Sequence, residues 1–255
     1  MKIVVLMKQT FDTEEKIVVE NGTIAEDGVK FVINPYDEYA VEEAVKLRDE
    51  LGGSVTLLSV GPDRTAEALR TALAMGADDA VLISDDRIPD DEYAVSNVLY
   101  AYLSKENPDL ILGGNFSVDR GSGQVAIRLA GLLNIPHTGS ITKLTINGTE
   151  AEVHRDAEGD LEILTVSLPA IFTAQQGLNE PRYPSLPGIM KAKKKPFKTY
   201  MLEDLDLTED DMKPATKQKE LTLPPERSAG QILKGEPAEV VSELVSLLRT
   251  KSKVI

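Results

Sequence analysis

Apolar runs and helical repeats alternate along residues 1–136, and this alternation is the feature that most limits the possible folds. Continuous apolar runs, such as IVVLM at residues 3–7, are typical of parallel strands that are buried on both faces. The segments between them, such as residues 36–51, carry apolar residues at helical spacing and end at glycines. Because strands joined by such helices form right-handed crossovers, the pattern predicts an α/β fold with a mainly parallel sheet.

The alternation predicts an order of elements as far as Pro136. The predicted strands, with a short hairpin around Asn21-Gly22, lie at residues 3–7, 31–35, 54–60, 79–84 and 109–114. The predicted helices between them lie at residues 36–51, 62–75, 91–105 and 124–133.

The sequence changes character after Pro136. Three β-rich runs predict a meander that extends the sheet, and residues 169–174 predict one more strand. Residues 202–235 have no strong period and are too long for a routine connection, which indicates an extended arm lying on another chain. We therefore expect an α/β domain over residues 1–197, followed over residues 198–255 by an arm and a terminal helix.

Composition excludes several classes of function. The chain has no cysteine, so it forms neither disulfides nor thiolate-bound iron–sulfur clusters, and we expect His137 and His154 to be ordinary polar residues rather than zinc ligands. A formal net charge of −14 argues against binding to nucleic acid or anionic lipid. The first apolar run is too short for a signal peptide or a membrane span. These features predict a cytoplasmic protein without direct membrane insertion, which would reach the inner face of a membrane only through partner subunits.

Three predicted strand ends are candidate ligand-binding positions, because open α/β sheets bind ligands at the carboxyl ends of their strands. They are residues 7–9, the NPYD turn at residues 34–37, and the sequence GGNFSVDRGSGQV at residues 113–125. The last is rich in glycine and runs into a helix N-terminus, which is a favourable arrangement for a phosphate group. The signal is weak alone, since the segment is neither a P-loop nor a dinucleotide-binding fingerprint and could be a plain turn.

No catalytic constellation is recognisable, and no pair of metal ligands is predicted. The acidic run DDRIPDDE at residues 85–92 could bind a cation, but a solvated loop leading into a helix is the favoured interpretation. The basic run KAKKK at residues 191–195 has two equal interpretations: attraction of an acidic partner, or a lysine-rich helix end that complements a helix dipole.

Several stretches resemble one known family. They are LMKQ in the first strand, SVGP after residue 58, NPYDEYAVEEAVKL from residue 34, RTALAMGADDAVLI from residue 70, LNEPRYPSLPGIMKAKKK from residue 178 and PPERSAG from residue 224. In this order, and over nearly the whole length, the chain resembles the β-subunit of an electron transfer flavoprotein.

The resemblance implies a three-layer, Rossmann-like fold of the adenine-nucleotide α-hydrolase type, with a C-terminal arm that wraps an FAD-carrying α-subunit. It implies one nucleotide in this chain, AMP in simple electron carriers and a second FAD in electron-bifurcating members. Tyr36 would also approach the flavin of the partner subunit. The implied nucleotide contacts are Leu6, Asn34, Pro35, Tyr36, Asp37, Leu57, Gly114, Asn115, Phe116, Ser117, Val118, Asp119, Arg120, Gly121, Ser122, Gly123, Gln124 and Val125.

Within the resemblance, FAD is preferred over AMP. Arg120 and Gly121 stand where acidic or small residues are usual in the family, and replacing carboxylates there removes repulsion against a diphosphate. Val125 and the wording AQQGLNEPRY are similar to the bifurcating, quinone-linked branch. That branch would take electrons from NADH and divide them between a quinone or acyl-CoA dehydrogenase path and ferredoxin or flavodoxin, with the cofactor performing the chemistry.

Two other functions remain open alternatives. An ATP-pyrophosphatase-like enzyme would share the α/β layers, but it needs a glycine-containing phosphate loop where this chain reads LMKQTFDT. A scaffolding or sensing protein with a structural nucleotide would need the same pocket as an AMP-binding carrier.

The resemblance also assigns a role to residues 178–190, a stiff and partly apolar stretch. In the family this recognition loop docks onto a redox partner through a leucine, which by position is Leu186, flanked by Pro184 and Pro187 and followed by Ile189 and Met190. The prolines restrict the unbound loop, so less entropy is lost on docking. The alternative is that Leu186 packs into its own domain.

Overall fold

The computed structural model describes residues 1–225 and 230–255. The PPERSAG motif at residues 224–230 therefore lies partly outside the described residues. The strands are β1 (Lys2–Leu6), β2 (Gln9–Phe11), β3 (Val19–Glu20), β4 (Thr23–Ile24), β5 (Phe31–Ile33), β6 (Ser54–Val60), β7 (Asp79–Ile83), β8 (Leu110–Gly114), β9 (His137–Asn147), β10 (Glu150–Ala157), β11 (Asp160–Ser167), β12 (Ala170–Ala174) and β13 (Phe197–Tyr200). The helices are α1 (Pro35–Leu51), α2 (Thr65–Met75), α3 (Glu92–Glu106), α4 (Val125–Leu133), α5 (Leu186–Ala192) and α6 (Pro237–Leu247).

A nine-stranded sheet in the order β11-β10-β9-β12-β8-β1-β6-β7-β13 forms the centre of the chain. The strands from β9 to β13 in this order pair in parallel, and the meander of β9, β10 and β11 pairs antiparallel, as predicted. Strand order reverses at β1, with β6 on one side and β8 on the other. This reversal creates a switch point between β1 and β8, where loops diverge and leave a crevice.

Successive residues of β1 point into different cores, because side chains alternate across a strand. Ile3 and Val5 pack with α1 and α2, whereas Val4 and Leu6 pack with α3 and α4. Both faces of the sheet are thus covered by helices, which explains the continuous apolar run in the sequence. The predicted three-layer α/β architecture is confirmed.

The predicted strand at residues 31–35 has a different place from the others. It forms β5, which pairs antiparallel with β2 in a separate two-stranded sheet. The predicted hairpin at Asn21-Gly22 forms as β3 and β4. Both lie between β1 and α1, so the first crossover carries a small β extension.

Strand β13 was not predicted, and it changes the boundary between body and arm. It pairs in parallel with β7 over Phe197 to Tyr200, so the predicted boundary at residue 197 falls inside a strand. Leu202, Leu205 and Met212 are then buried in the core formed with α3 and α4. The α/β body therefore continues past residue 197, because apolar residues spaced irregularly along a turn-rich segment still reach the core.

The predicted terminal helix forms as α6 and is followed by a π-helical turn at Leu248–Ser252. None of its residues is buried, and even the large apolar side chains of Val241 and Leu244 are exposed. In residues 1–225 and 230–255, no helix is both long enough and apolar enough to span a membrane.

Asp91 joins α3 to the start of the arm. Its carboxylate caps the helix by accepting hydrogen bonds from the backbone N–H groups of Tyr93 and Ala94, each at 3.0 Å. It also accepts bonds from the Thr216 backbone N–H at 3.0 Å and from the Thr216 hydroxyl at 2.6 Å. Burial opposes ionisation of Asp91, but these bonds outweigh it and lower its pKa from 3.8 to about 2.

We expect Asp91→Ala to lower the free energy of unfolding by about 1 to 2 kcal/mol, because the helix loses its N-cap and the arm loses its attachment. In a thermal unfolding experiment on the full chain, this corresponds to a Tm lower by about 2 to 8 °C. Limited proteolysis between residues 213 and 225 should also become faster. Asp86→Ala, at an exposed position of the same loop, is the control. Unchanged Tm and cleavage rates would contradict this role of Asp91.

Candidate functional site at the strand ends

A cavity with a volume of about 180 Å³ lies at the carboxyl ends of β1, β6 and β8. It opens beside a wider cleft of about 710 Å³. The two share Lys8, Val60, Asp90, Val95 and Arg120 in their walls, so they meet along these side chains. The position is the switch point of the sheet, as predicted from the strand ends.

The first turn of α1 holds this crevice in shape. Asp37 accepts a hydrogen bond from the backbone N–H of Lys8 at 2.7 Å, directly after β1, and another from the N–H of Gly114 at 2.9 Å, at the end of β8. Asn34 donates to the carbonyl of Phe116 at 2.9 Å and accepts from the N–H of Val118 at 3.1 Å. The NPYD turn therefore fixes the separation of two strand ends and the start of the following loop.

Gly114 is required by this close approach. A Cβ atom at this position would lie against the Asp37 carboxylate and 2.7 Å from Cβ of Tyr36, closer than real Cβ contacts. The first residues of α1 can thus pack directly on β8 only because residue 114 has no side chain.

The N-terminus of α4 faces the cavity without a side-chain cap. The N-cap residue Gln124 makes no capping hydrogen bond; its side-chain oxygen instead accepts from Arg128 at 2.9 Å. Gln124, Val125 and Ala126 all line the cavity. Unbonded N–H groups and the positive end of the helix dipole therefore point towards an anion-binding position.

Two cations, Lys8 and Arg120, line the cavity, and each is held by a carboxylate. The Lys8 ammonium lies 2.7 Å from Oδ2 of Asp119. Burial raises the pKa of Asp119, but the charge of Lys8 outweighs it and the pKa is lowered. The Arg120 guanidinium pairs with Asp90 and donates to its backbone carbonyl at 3.0 Å. Both cations are thus held at defined positions on the cavity wall.

The remaining wall is largely apolar and comes from both sides of the switch point. Its apolar side chains include those of Leu6, Leu58, Val60, Val95, Leu99 and Val125. Such a wall can accept the flat face of a nucleotide base or ring system, while the cations and the α4 N-terminus accept phosphate. The apolar wall, the two cations and the α4 N-terminus together fit a nucleotide.

Twelve of the predicted contact residues line the cavity; they are Leu6, Asn34, Asp37, Gly114, Asn115, Phe116, Ser117, Arg120, Ser122, Gly123, Gln124 and Val125. Six do not; they are Pro35, Tyr36, Leu57, Val118, Asp119 and Gly121. Leu57 points into the opposite core and is fully buried, while its neighbour Leu58 lines the cavity. Tyr36 packs on Phe116, with ring centroids 4.2 Å apart.

The loop before α3 supplies wall residues that the sequence did not reveal. Asp90, Asp91, Glu92 and Val95 line the cavity. The predicted loop leads into α3 and exposes Asp86, Arg87 and Asp90, but Asp85 and Asp91 are not solvated. Asp85 has a side chain only 3% exposed and pairs with Arg87, while Asp91 is buried as the α3 cap. Asp85 also accepts a hydrogen bond from Leu202 and Asp91 accepts bonds from Thr216, and these partners, more than a hundred residues away, are not visible in the local sequence.

The wider cleft contains a buried hydroxyl. Thr10 is almost fully buried and lines this cleft, and within the described part of the chain its Oγ1 has no hydrogen-bond partner. Arg64 lies on the same wall, with its guanidinium 3.7 Å from the ring centroid of Phe31 and 2.6 Å from Oε1 of Gln9. The cleft thus offers both polar and aromatic contacts beside the cavity.

The predicted recognition loop is partly helical. Residues 186–190 begin α5, whose N-cap Ser185 accepts a hydrogen bond from the Gly188 N–H, so the description of residues 178–190 as a loop is corrected there. Pro187 is tolerated because it occupies the first turn, where its missing N–H costs no hydrogen bond. Leu186 is 80% exposed, so it does not pack into its own domain. Ile189 and Met190 are also exposed.

The basic run after α5 interacts with a neighbouring helix. The Lys195 ammonium donates to the carbonyl groups of Leu73 at 2.9 Å and Gly76 at 3.3 Å, and also to that of Ala77. These carbonyls lie at the C-terminus of α2, so the lysine complements the dipole of α2 rather than that of α5. The helix-end interpretation is confirmed in this modified form.

In residues 1–225 and 230–255 no group of three or more His, Cys, Asp or Glu side chains has an arrangement that could hold a metal ion. His154 pairs with Glu152 at 3.2 Å. His137 is partly buried on β9, and burial lowers its pKa.

Comparison with known proteins gives a consistent family. Residues 21–205 match the family described as "Electron transfer flavoprotein domain". The chain is 59% identical over its full length to "Electron transfer flavoprotein subunit beta" of Bacillus subtilis, which it covers fully. It is 39% identical to the mitochondrial β-subunit of Oryza sativa subsp. japonica, with each chain fully covered. It is 35% identical to "Caffeyl-CoA reductase-Etf complex subunit CarD" of Acetobacterium woodii, over 98% of this chain and 99% of that one.

The buried carboxylate of Asp37 should give a characteristic pH dependence. Burial raises its pKa from 3.8 to about 7, against the lowering effect of the hydrogen bonds from Lys8 and Gly114. Since the folded state then binds the proton more tightly than the unfolded state, the stability contributed by Asp37 is greatest below pH 4 and is lost between about pH 4 and pH 7.

We expect the unfolding free energy of the wild-type chain, relative to Asp37→Asn, to fall across this interval by at most about 1.4 kcal/mol per pH unit. Urea titrations at several pH values measure it. Asp91→Asn is the control in a lower interval: because the folded pKa of Asp91 is lowered to about 2, the stability that Asp91 contributes rises between about pH 2 and pH 4 and is flat above pH 4. A difference that is flat or rises with pH would contradict the assignment for Asp37.

Proposed function

Because the chain belongs to the electron transfer flavoprotein family, in which it is a β-subunit, we propose that it pairs with an FAD-carrying α-subunit and relays electrons between dehydrogenases or NADH and quinone or ferredoxin acceptors. The observation that carries this proposal is the cavity at the switch point, where the uncapped end of α4 meets Lys8 and Arg120. No catalytic side chain is required for such a role, because the protein holds and orients a redox cofactor.

We propose FAD as the nucleotide of this subunit. The narrow cavity suits an adenylate, and Arg120 stands where the cavity meets the wider cleft, which could receive the rest of a dinucleotide. A guanidinium at this junction is well suited to a second phosphate, because it can form two parallel hydrogen bonds. Thr10 and Arg64 would then lie on the flavin side of the cleft.

FAD, when bound here, would supply one- and two-electron redox chemistry. The chain's own groups would hold it. The α4 N-terminus and Lys8 would bind one phosphate, Arg120 would bind the other, and Leu6, Leu58 and Leu99 would pack against the adenine ring. Similarity to a subunit of a caffeyl-CoA reductase complex supports an electron-bifurcating role. In that role the subunit would serve NADH, a quinone or acyl-CoA dehydrogenase partner, and ferredoxin or flavodoxin.

A simple carrier with AMP in the same site is the second candidate. It is favoured by one observation, since the narrow cavity by itself contains the glycine-rich loop, Lys8 and the open end of α4. A monophosphate requires nothing more. An ATP-pyrophosphatase-like activity is less well supported, because the residues after β1 contain no glycine and form β2.

The exposed apolar surface of residues 183–190 would dock a redox partner such as an acyl-CoA dehydrogenase or a quinone oxidoreductase. Tyr183 is 94% exposed, and Leu186 and Met190 are 80% and 72% exposed. A small apolar anchor of this kind gives a reversible contact, which suits an electron carrier. The arm from about residue 217 and the terminal helix α6, whose apolar side chains are exposed, would pack on the α-subunit.

Nucleotide content is the first test. The chain is produced with its α-subunit, the complex is denatured, and the released nucleotides are identified. We expect two FAD per heterodimer. One FAD with one AMP would favour the simple carrier, and no adenine nucleotide from this chain would overturn both candidates.

Arg120→Gln should weaken FAD binding at this site about tenfold to a hundredfold, since a hydrogen bond to a charged group is worth about 1.5 to 3 kcal/mol. Titration of the emptied heterodimer with FAD and with AMP measures it. AMP affinity should change much less. Arg155→Gln, which removes an arginine–carboxylate pair with Glu162 on the meander, is the matched control because Arg155 lines neither cavity nor cleft. An equal loss for both nucleotides would argue against a second phosphate at Arg120.

Leu186→Ala should slow electron transfer from a reduced acyl-CoA dehydrogenase about tenfold or more, because the docking contact loses its apolar anchor. Nucleotide content and Tm should stay unchanged, since Leu186 is 80% exposed. Stopped-flow reduction of the heterodimer flavin measures the rate. Leu51→Ala, at an exposed leucine on the far end of α1, is the control. Unchanged transfer kinetics would contradict docking at Leu186.

A further inference from the structure

Helix α1 contacts the docking segment as well as the nucleotide cavity. The docking segment is defined here as residues 178–190, which carry the exposed side chains of Tyr183, Leu186 and Met190. Two glutamates on the same helix, Glu42 and Glu43, are 6% and 4% exposed. Buried carboxylates of this kind need hydrogen-bond partners, and each of these two has a partner in the docking segment.

Arg182 is the partner of Glu42. Its Nε lies 2.7 Å from Oε2, its Nη2 lies 2.9 Å from Oε1, and its backbone N–H donates to Oε2 at 3.2 Å. The pairing is bidentate, and it fixes both the side chain and the backbone of Arg182. The next residue is Tyr183, so the exposed part of the segment starts directly after a fixed point.

Asn179 is the partner of Glu43. Its Nδ2 donates to Oε2 of Glu43 at 2.9 Å and to the backbone carbonyl of Tyr39 at 3.0 Å. Lys46 also approaches Glu43, with its ammonium 3.1 Å from Oε2. The docking segment is therefore attached to α1 at two of its residues, Asn179 and Arg182, which are three positions apart in the sequence.

Helix α2 holds the other end of the segment. A Cβ atom on Gly188 would lie 2.5 Å from the carbonyl oxygen of Ala74, so α5 packs against the end of α2 with no space for a side chain. Arg70 donates to the carbonyl of Ala192 at 2.9 Å, and Lys195 bonds the last carbonyls of α2. Leu186 is thus presented between two fixed ends.

We propose that Glu42, Glu43, Arg182 and Asn179 are positioning residues, which hold the docking segment in its binding conformation before the redox partner arrives. The inference rests on the proposed docking role of Leu186. None of the four residues lines the cavity, and they act by removing conformational freedom that docking would otherwise remove. Ordering a side chain at an interface costs about 0.5 to 1.5 kcal/mol, which corresponds to a factor of about two to ten in affinity.

The test uses the complete heterodimer with a purified short-chain acyl-CoA dehydrogenase that is reduced with butyryl-CoA. Glu42→Gln and Arg182→Gln should each raise the KM for the heterodimer about two- to tenfold and leave the maximal rate unchanged. Hydrogen exchange of residues 180–192 should become faster in both variants. Nucleotide content should stay the same, because Glu42 does not line the cavity.

A double-mutant cycle with Leu186→Ala separates positioning from a general loss of stability. In the Leu186→Ala background, Glu42→Gln should cause no further change in KM, because the anchor that it positions is missing. Asp206→Asn, which removes the exposed Lys105–Asp206 pair at 3.0 Å, is the control for losing a surface carboxylate.

Unchanged hydrogen exchange and KM in Glu42→Gln, with a slow Leu186→Ala variant, would overturn the inference and leave the docking function standing. Additive effects of Glu42→Gln and Leu186→Ala would also overturn it, since they indicate a structural role. A Leu186→Ala variant with wild-type kinetics would instead refute the docking function itself.

Discussion

The carboxylate of Asp37 is the interaction on which the site depends. It bonds the backbone N–H groups that follow β1 and end β8, at 2.7 and 2.9 Å, and so joins the two strands that border the switch point. The cost is a buried charge whose pKa is raised to about 7. The gain is a crevice of fixed width, since Gly114 admits the first turn of α1 against β8 and Asn34 holds the following loop.

Helix α1 carries this constraint to the surface. Its first turn shapes the nucleotide cavity, and its middle residues Glu42 and Glu43 attach the docking segment. Cavity and docking segment are therefore built on one rigid element with its face buried against the sheet. For an electron carrier, this arrangement allows the cofactor position and the partner position to be set together.

The α/β body was predictable because its signals are local. Apolar runs, helical periods and turn residues specify β1, β6, β7, β8 and the helices between them, and parallel strand ends meet at one edge of a sheet. Strand β13 was missed because its sequence FKTY has no long apolar run and it pairs at an edge of the sheet. Asp85 and Asp91 were taken as solvated because their partners, Leu202 and Thr216, are more than a hundred residues away. The resemblance assigned a nucleotide contact to Leu57, but it is Leu58 that lines the cavity. A shift of one residue along a strand moves a side chain to the opposite face of the sheet.

The family motifs and the periodic patterns predicted the layers, a glycine-rich loop at the end of β8 and the choice of Leu186 as a docking residue, because each prediction depends on residues close together in the chain. The shape of the cavity, the pairing of Arg120 with Asp90 and the attachment of Arg182 to Glu42 depend on the three-dimensional fold. These contacts join segments brought together only when both faces of the sheet are packed. Their geometry follows from the register of distant strands and helices, which local sequence does not encode.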